Sequence, residues 1–315
     1  MIALAAIEAA RERIAGAAVR TPLVRLQAGD APAEIYLKLE NLQPINSFKI
    51  RGATNAVMLA PAAEWAKGLV TASAGNMAQG VAWAARALGV PATIAVPEHA
   101  PEAKLSAIER LGGRVRKLPY DDWWNVIVSS RLDGTDGLFV HPVQDPGVMA
   151  GNGTIGLEIL EDLPDPDAVV IPYGGGGLTA GIASAVKALR PQTKIFTAEP
   201  ETAAALAAAL AAGHPADVDY RASFVDGSGS RRVLDVMWPL VAPLVDGAVA
   251  VPVPEAAAAV RVLAERARVI AEGAGALALA ATLAGHAGTG KVVCVVSGGN
   301  INLTKLAELL TGAPG

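Results

Sequence analysis

The chain has 315 residues, 52% of them hydrophobic, and a formal net charge of −4 with no basic block. That is ample material for a core and for two domains, and the charge excludes nucleic acid from the expected partners. The hydropathy comes from many alanines, and no stretch approaches the ~20 apolar residues of a membrane span.

The start, Met1-Ile-Ala-Leu-Ala-Ala-Ile-Glu8, lacks the basic flank of a signal peptide and runs into Arg11-Glu-Arg13, so an amphipathic helix is expected there. Strand-like pieces follow at Leu69–Thr71, Ala92–Val96, Arg114–Leu118 and Leu138–Val140, with helical patterns at Met77–Leu88, Pro101–Leu111 and Asp121–Arg131 between them. A second set of strands is expected at Ala168–Ile171, Lys194–Glu199, Ala248–Val251 and Val292–Val296. This alternation at βα spacing predicts a parallel α/β architecture. No repeat, linker or charge tail marks a domain boundary. The single cysteine, Cys294, falls in an expected core strand and cannot form an internal disulfide, which fits a reducing cytoplasm.

Three stretches carry chemistry. Lys49 sits between Phe48 and Ile50, and a lysine desolvated by apolar neighbours loses part of its preference for the charged form and becomes a nucleophile, a candidate Schiff-base former. Read alone, this stretch favours an ordinary solvated lysine at a helix start. Gly174-Gly-Gly-Gly177, followed by Leu178, lies between an apolar strand and a helix, where bare backbone N–H groups cradle a phosphate. A plain turn needs one or two glycines, and four cost more backbone entropy than a turn justifies. Near the end, Lys291-Val-Val-Cys-Val-Val-Ser297 delivers a serine hydroxyl to a glycine turn. An amine, a phosphate cradle and a lone hydroxyl are the three grips that pyridoxal phosphate needs.

A dinucleotide-binding oxidoreductase is the rival reading. Gly175-x-Gly177-x-x-Ala180 follows a strand, and Glu199 stands 24 residues after Gly175, so the Rossmann fingerprint is formally satisfied. That reading leaves Lys49 and Ser297 without a role. Gly151-x-Gly153-x-x-Gly156 fits the same expression but has the look of helix-packing glycines. The histidines His99, His141, His214 and His286 are scattered, so no zinc site and no other metal is expected.

The motifs Lys38-Leu-Glu-Asn41, Ser47-Phe-Lys49-Ile-Arg-Gly-Ala53, Ser73-Ala-Gly-Asn76, His141-Pro142, Gly151-Asn-Gly-Thr-Ile-Gly-Leu-Glu158, the glycine run and Ser297-Gly-Gly-Asn300 occur in one order. In these, from Thr21-Pro-Leu23 to Asn300, the chain resembles the fold-type II pyridoxal-phosphate enzymes of the serine/threonine dehydratase group. The resemblance implies two open parallel-sheet domains with the cofactor in the cleft between them. A large domain of residues 1–49 and 142–315 would hold a small inserted domain of residues 50–141. Lys49 would be the catalytic amine, Gly174, Gly175, Gly176, Gly177 and Leu178 would hold the phosphate, and Phe48 and Gly227 would sandwich the ring. Ser297 would face the pyridine nitrogen, with Glu272 near the ring edge. Residues Ser73, Ala74, Gly75, Asn76 and Met77 would form the substrate loop, Asn76 also facing the cofactor's phenolic oxygen.

The implied reaction is loss of ammonia from a β-hydroxy amino acid, L-threonine or L-serine, giving a 2-keto acid. A homodimer or homotetramer is implied as well. Three departures from the pattern bear on this. Met77 stands where a histidine is common, which opens the reading of a bulkier substrate such as hydroxyaspartate or phenylserine. Ala74 replaces the serine with which racemases of the family carry a proton. After Glu199-Pro200, alanines stand where a second acid would complete a divalent-ion site, although Glu201 could partly substitute.

Overall fold

The computed structural model describes residues 1–29 and 31–312. Ten strands run in chain order as β1 (Leu23–Arg25), β2 (Glu34–Leu39), β3 (Leu69–Ala72), β4 (Ala92–Pro97), β5 (Gly113–Leu118), β6 (Leu138–Phe139), β7 (Ala168–Pro172), β8 (Lys194–Pro200), β9 (Gly247–Val251) and β10 (Lys291–Val296). They form a six-stranded sheet in the order β1-β2-β10-β7-β8-β9 and a four-stranded sheet in the order β5-β4-β3-β6. Every pairing is parallel except β1 with β2, where Leu23 faces Lys38 in antiparallel register. The connection 26–33 is shorter than the dozen or so residues that a parallel crossover requires, so these two strands fold back on each other. The two parallel-sheet domains expected from the sequence form, with β1 added antiparallel at one edge of the larger.

The centre of the larger sheet shows why its strands read as continuous apolar runs. Val170, Val292, Cys294 and Val296 point to one face and pack against the helix Gly273–Leu283 through Ala276, Leu277 and Ala280. Val169, Ile171, Val293 and Val295 point to the other face and pack against the helix Gly177–Leu189 through Ile182 and Val186. A strand covered by helices on both faces needs apolar side chains at every position, each burial stabilising the fold by roughly 1.5–3 kcal/mol.

The helix Lys49–Leu59 joins the two sheets. Its Ala53, Ala56 and Val57 belong to the apolar cluster that covers the four-stranded sheet. Its first turns press against the helix Pro146–Asp162, so closely that a Cβ on Gly52 would lie 2.8 Å from the Val148 carbonyl and one on Gly151 2.5 Å from the Arg51 carbonyl. The glycines of 151–156 are therefore helix-packing residues inside a helix, as their sequence suggests. That helix starts where Asp145 accepts the N–H groups of Gly147 and Val148 at 2.7 and 3.2 Å, with Pro146 following the cap. At the chain start, the helix Leu4–Ile14 buries Ile7, Ala10 and Ile14 on one face. Among the described residues, no helix is long and apolar enough to cross a membrane.

Behind the start of the Lys49–Leu59 helix lies a buried cluster of four charges. Arg51 donates to Glu40 at 2.8 Å and to Glu158 at 2.6 Å, and Lys38 donates to Glu158 at 2.5 Å and to the Thr21 carbonyl at 2.7 Å. All four side chains are nearly inaccessible. Burial alone would raise the Glu40 carboxyl, but the Arg51 charge and the hydrogen bonds from Arg51 and Thr21 hold it below its ordinary value. Two positive and two negative charges, each satisfied by hydrogen bonds, make this arrangement tolerable in a low-dielectric interior.

Candidate active site

Lys49 opens its helix, with Phe48 at the cap position. Phe48 is nearly buried, its N–H donates to the Ser297 carbonyl at 3.1 Å, and its ring lies 5.0 Å from the Lys49 amine. The half-buried lysine extends its amine to the carbonyl of Pro142 at 3.4 Å. Desolvation brings its pKa down from 10.5 to about 8, with the Glu272 charge opposing. The amine is thus kept partly neutral near physiological pH, as a nucleophile and a base require.

From Lys49 the contacts can be followed around a closed ring. Pro142 leads to Val143, whose side chain sits where a Cβ on Gly175 would be, at 2.5 Å, and whose carbonyl lies 2.9 Å from a Cβ on Gly177. Gly174 faces the backbone of Gly227 and Ser228. Gly229 N–H donates to the Tyr173 carbonyl at 2.8 Å, and the Ser228 hydroxyl donates to the same oxygen. A Cβ on Gly227 would stand 3.5 Å from Glu272 Oε1. Glu272 Oε1 accepts from the Asn76 amide at 2.8 Å, and Asn76 Oδ1 accepts from Asn300 at 2.8 Å. Gly298, next to Ser297, packs on Glu272, and Ser297 returns to Phe48. The ring draws on the loops after β3, β6, β7 and β10, the C-terminal ends at which open α/β sheets hold ligands.

Two helices begin in this ring with glycine at the cap and no capping side chain. One is Gly177–Leu189, capped by Gly176 at φ +95°, and the other is Asn76–Leu88, capped by Gly75. Uncapped amides at a helix N-terminus favour an anion. Ser73 does not cap this helix: its hydroxyl accepts the Gly75 N–H at 3.2 Å and shapes the turn ahead of it. The glycines of the run serve two needs. Gly175 and Gly177 make room for Val143, Gly176 adopts a left-handed conformation that L side chains rarely take, and Gly174, partly exposed, lies against the backbone of Gly227 and Ser228.

The residues named from sequence fall unevenly. Phe48, Lys49, Asn76, Gly174, Gly175, Gly177, Gly227, Glu272 and Ser297 all lie on the ring. Ser73, Ala74 and Gly75 are partly exposed beside Asn76, and Leu178 is buried behind the glycine run. Met77 is different. It is 2% exposed and belongs to the apolar core of the four-stranded sheet. The rival dinucleotide reading loses its acid as well: Glu199 is fully buried and accepts the N–H groups of Leu206 and Ala207 at 2.9 and 3.0 Å, out of reach of any ribose. Burial raises that carboxyl to about 7 against these hydrogen bonds. Glu201 lies on the surface and accepts from Val253 N–H. Among the described residues, no group of three acidic, histidine or cysteine side chains is arranged to hold a metal ion.

Pro142, Val143 and Asn300 complete the ring without having been singled out for a role. The signal for Asn300 was its place in Ser297-Gly-Gly-Asn300. Nothing local distinguishes Val143, whose part depends on a glycine far along the chain.

Fold and site together define a two-sheet α/β protein built around a desolvated lysine, and residues 14–298 match the family described as pyridoxal-phosphate dependent enzyme. The chain belongs to that family. It is 43% identical over 280 residues to the L-threonine ammonia-lyase of Thermotoga maritima, covering 88% of this chain and 70% of the relative. To the catabolic L-threonine dehydratase TdcB of Escherichia coli K12 it is 37% identical over 316 residues, 98% of this chain and 96% of the relative. The structure of maize serine racemase superimposes with a TM-score of 0.90 at 33% identity, over 98% of this chain and 97% of that one. The processed form of threonine deaminase isoform 2 from Solanum lycopersicum does so with a TM-score of 0.88 at 33% identity, over 98% and 87%.

Proposed function

We propose that the protein is a pyridoxal-phosphate-dependent ammonia-lyase that converts L-threonine, and L-serine as a smaller analogue, to a 2-keto acid and ammonia. The observation that carries this reading is the Lys49 amine, with a pKa brought to about 8 and enclosed by two uncapped helix starts. The residues present fit the cofactor: the partly exposed, side-chain-free backbone at Gly174 and the uncapped amides beyond Gly176 suit its phosphate, and Phe48 supplies an apolar wall. When bound, pyridoxal phosphate delocalises the electron pair left by removal of a Cα proton.

The chain's own residues divide the remaining work. Lys49 removes the Cα proton, being the one amine on the ring and partly neutral at working pH. The Pro142 carbonyl orients it. The amides of the Ser73–Asn76 turn and the dipole of the helix Asn76–Leu88 hold the substrate carboxylate. Ser297 offers a hydroxyl, which cannot hold a pyridine nitrogen protonated as a carboxylate would, and this favours early loss of a β-leaving group over a long-lived carbanion. With Met77 buried in the core, nothing at that position favours a bulkier substrate.

The same proposal includes division of the chain at 49/50 and 141/142, an assembly of two or four copies, and residence in the cytoplasm, where the buried thiol Cys294 stays reduced. An assay of keto-acid and ammonia release from L-threonine, L-serine, 3-hydroxyaspartate and phenylserine tests the substrate. Threonine is expected to be turned over with the largest kcat/KM. Turnover of none of the four would overturn the reading.

A further inference from the structure

His141 belongs to a sequence motif, His141-Pro142, of which the proposed lyase chemistry uses only the Pro142 carbonyl. It follows β6, is 7% exposed, and its Nδ1 accepts two backbone hydrogen bonds, from Val143 N–H and Gln144 N–H, both at 3.1 Å. A side-chain acceptor taking the N–H groups two and three residues ahead is the turn usually made by asparagine or aspartate. Pro142 has no N–H to compete. To accept two donors, Nδ1 must be unprotonated, so the ring is neutral with its proton on Nε2.

What this turn holds is the ring of contacts described above. Its second residue presents the carbonyl that receives the Lys49 amine at 3.4 Å. Its third is Val143, packed into the space left by Gly175 and Gly177. The residue that follows it is Asp145, which caps the helix Pro146–Asp162.

We propose that His141 is a positioning residue: as the Nδ1-acceptor tautomer it folds residues 141–144 so that the Pro142 carbonyl meets the Lys49 amine and Val143 braces the glycine run. Protonation of the ring turns the acceptor into a donor and expels both N–H groups, so the turn is also sensitive to acid. The groups facing the ring divide. Burial and the Lys49 charge disfavour the imidazolium, Asp145 and the Ile127 carbonyl favour it, and the Phe139 ring packs edge-on with centroids 6.3 Å apart. Burial prevails, and the pKa lies below the ordinary histidine value. The acid limb assigned to His141 therefore falls below that of a solvated histidine.

This inference rests on Lys49 being the working amine of the proposed lyase, but it is tested first without any turnover. In the full-length chain freed of cofactor, competitive acetylation at pH 8 compares Lys49 with the exposed Lys67 by peptide mass spectrometry. His141→Phe, which offers no acceptor, should change the Lys49-to-Lys67 rate ratio by about 1.5-fold or more, the effect on the neutral fraction of half a pKa unit around a pKa of about 8. His141→Asn supplies the acceptor of the same turn and should restore the wild-type ratio. The second readout is the pH profile of kcat in the holoenzyme, where His141→Asn should extend turnover to lower pH than wild type. An unchanged ratio in a folded His141→Phe overturns the proposal. So does a His141→Asn variant with the wild-type acid limb, which decides the matter alone if His141→Phe does not fold by circular dichroism.

Discussion

The Asn76 amide and the Glu272 carboxylate meet across the cleft, 2.8 Å apart, one from the loop that leaves the four-stranded sheet and the other from the cap of a helix on the six-stranded sheet. Desolvation raises the Glu272 carboxyl to about 7, against the Asn76 hydrogen bond that lowers it. At pH 8 it is mostly ionised and its charge supports the Lys49 ammonium. Glu272→Gln keeps an acceptor for Asn76 but removes the charge, so the Lys49 pKa should fall below about 8. Acetylation of Lys49 as a function of pH measures it, and a rise would show that the Glu272 charge does not act on the amine.

Elimination should far outpace racemisation. Ala74 cannot carry a proton to the face of Cα opposite Lys49, and no other side chain of the Ser73–Asn76 turn is basic. Chiral chromatography of L-serine reactions should find pyruvate accumulating well ahead of D-serine. Equal rates would point to a proton carrier elsewhere in the cleft.

Arg51 should matter for stability in its own right. Arg51→Met leaves Glu40 and Glu158 buried with Lys38 as their single cation, and breaking a buried pair in this way costs about 3–5 kcal/mol. Urea unfolding gives the value directly. A cost under about 1 kcal/mol would mean that the site relaxes to admit water or takes up a proton.

Glu199 should give the fold a pH dependence of defined sign. Its native pKa is raised from 4.5 to about 7 by burial, so the native state holds the proton more tightly than the unfolded chain. That contribution is fully present below pH 4.5 and is lost as pH rises through about 7. Relative to Glu199→Gln, the wild type should therefore lose up to about 3 kcal/mol between pH 5 and 8. Urea midpoints at the two pH values read the difference, and a difference that does not vary with pH contradicts the assignment.

What the sequence revealed follows from where the partners lie. Strands β7 and β10 are legible because apolar helices cover both their faces, and the ends of Gly177–Leu189 and Asn76–Leu88 are marked by glycines on the chain itself. Strand β2 is not, because Lys38 interrupts its apolar pattern, and that lysine is acceptable in the core through Glu158, 120 residues away. The burial of Met77 was not legible for a related reason. It directly follows the Ser73–Asn76 turn in sequence, but in the first turn of its helix its side chain joins the apolar core of the neighbouring sheet. The motif His141-Pro142 was visible as residues and silent as chemistry, since its hydrogen bonds run to backbone.

The central claim is that Lys49 is the amine through which this family member works. Treating the purified yellow enzyme with sodium borohydride and then mapping its peptides by mass spectrometry tests it most directly. The account predicts the pyridoxyl mass on the peptide that contains Lys49, with none in Lys49→Ala. The pyridoxyl group on any other lysine of the wild-type chain would contradict it.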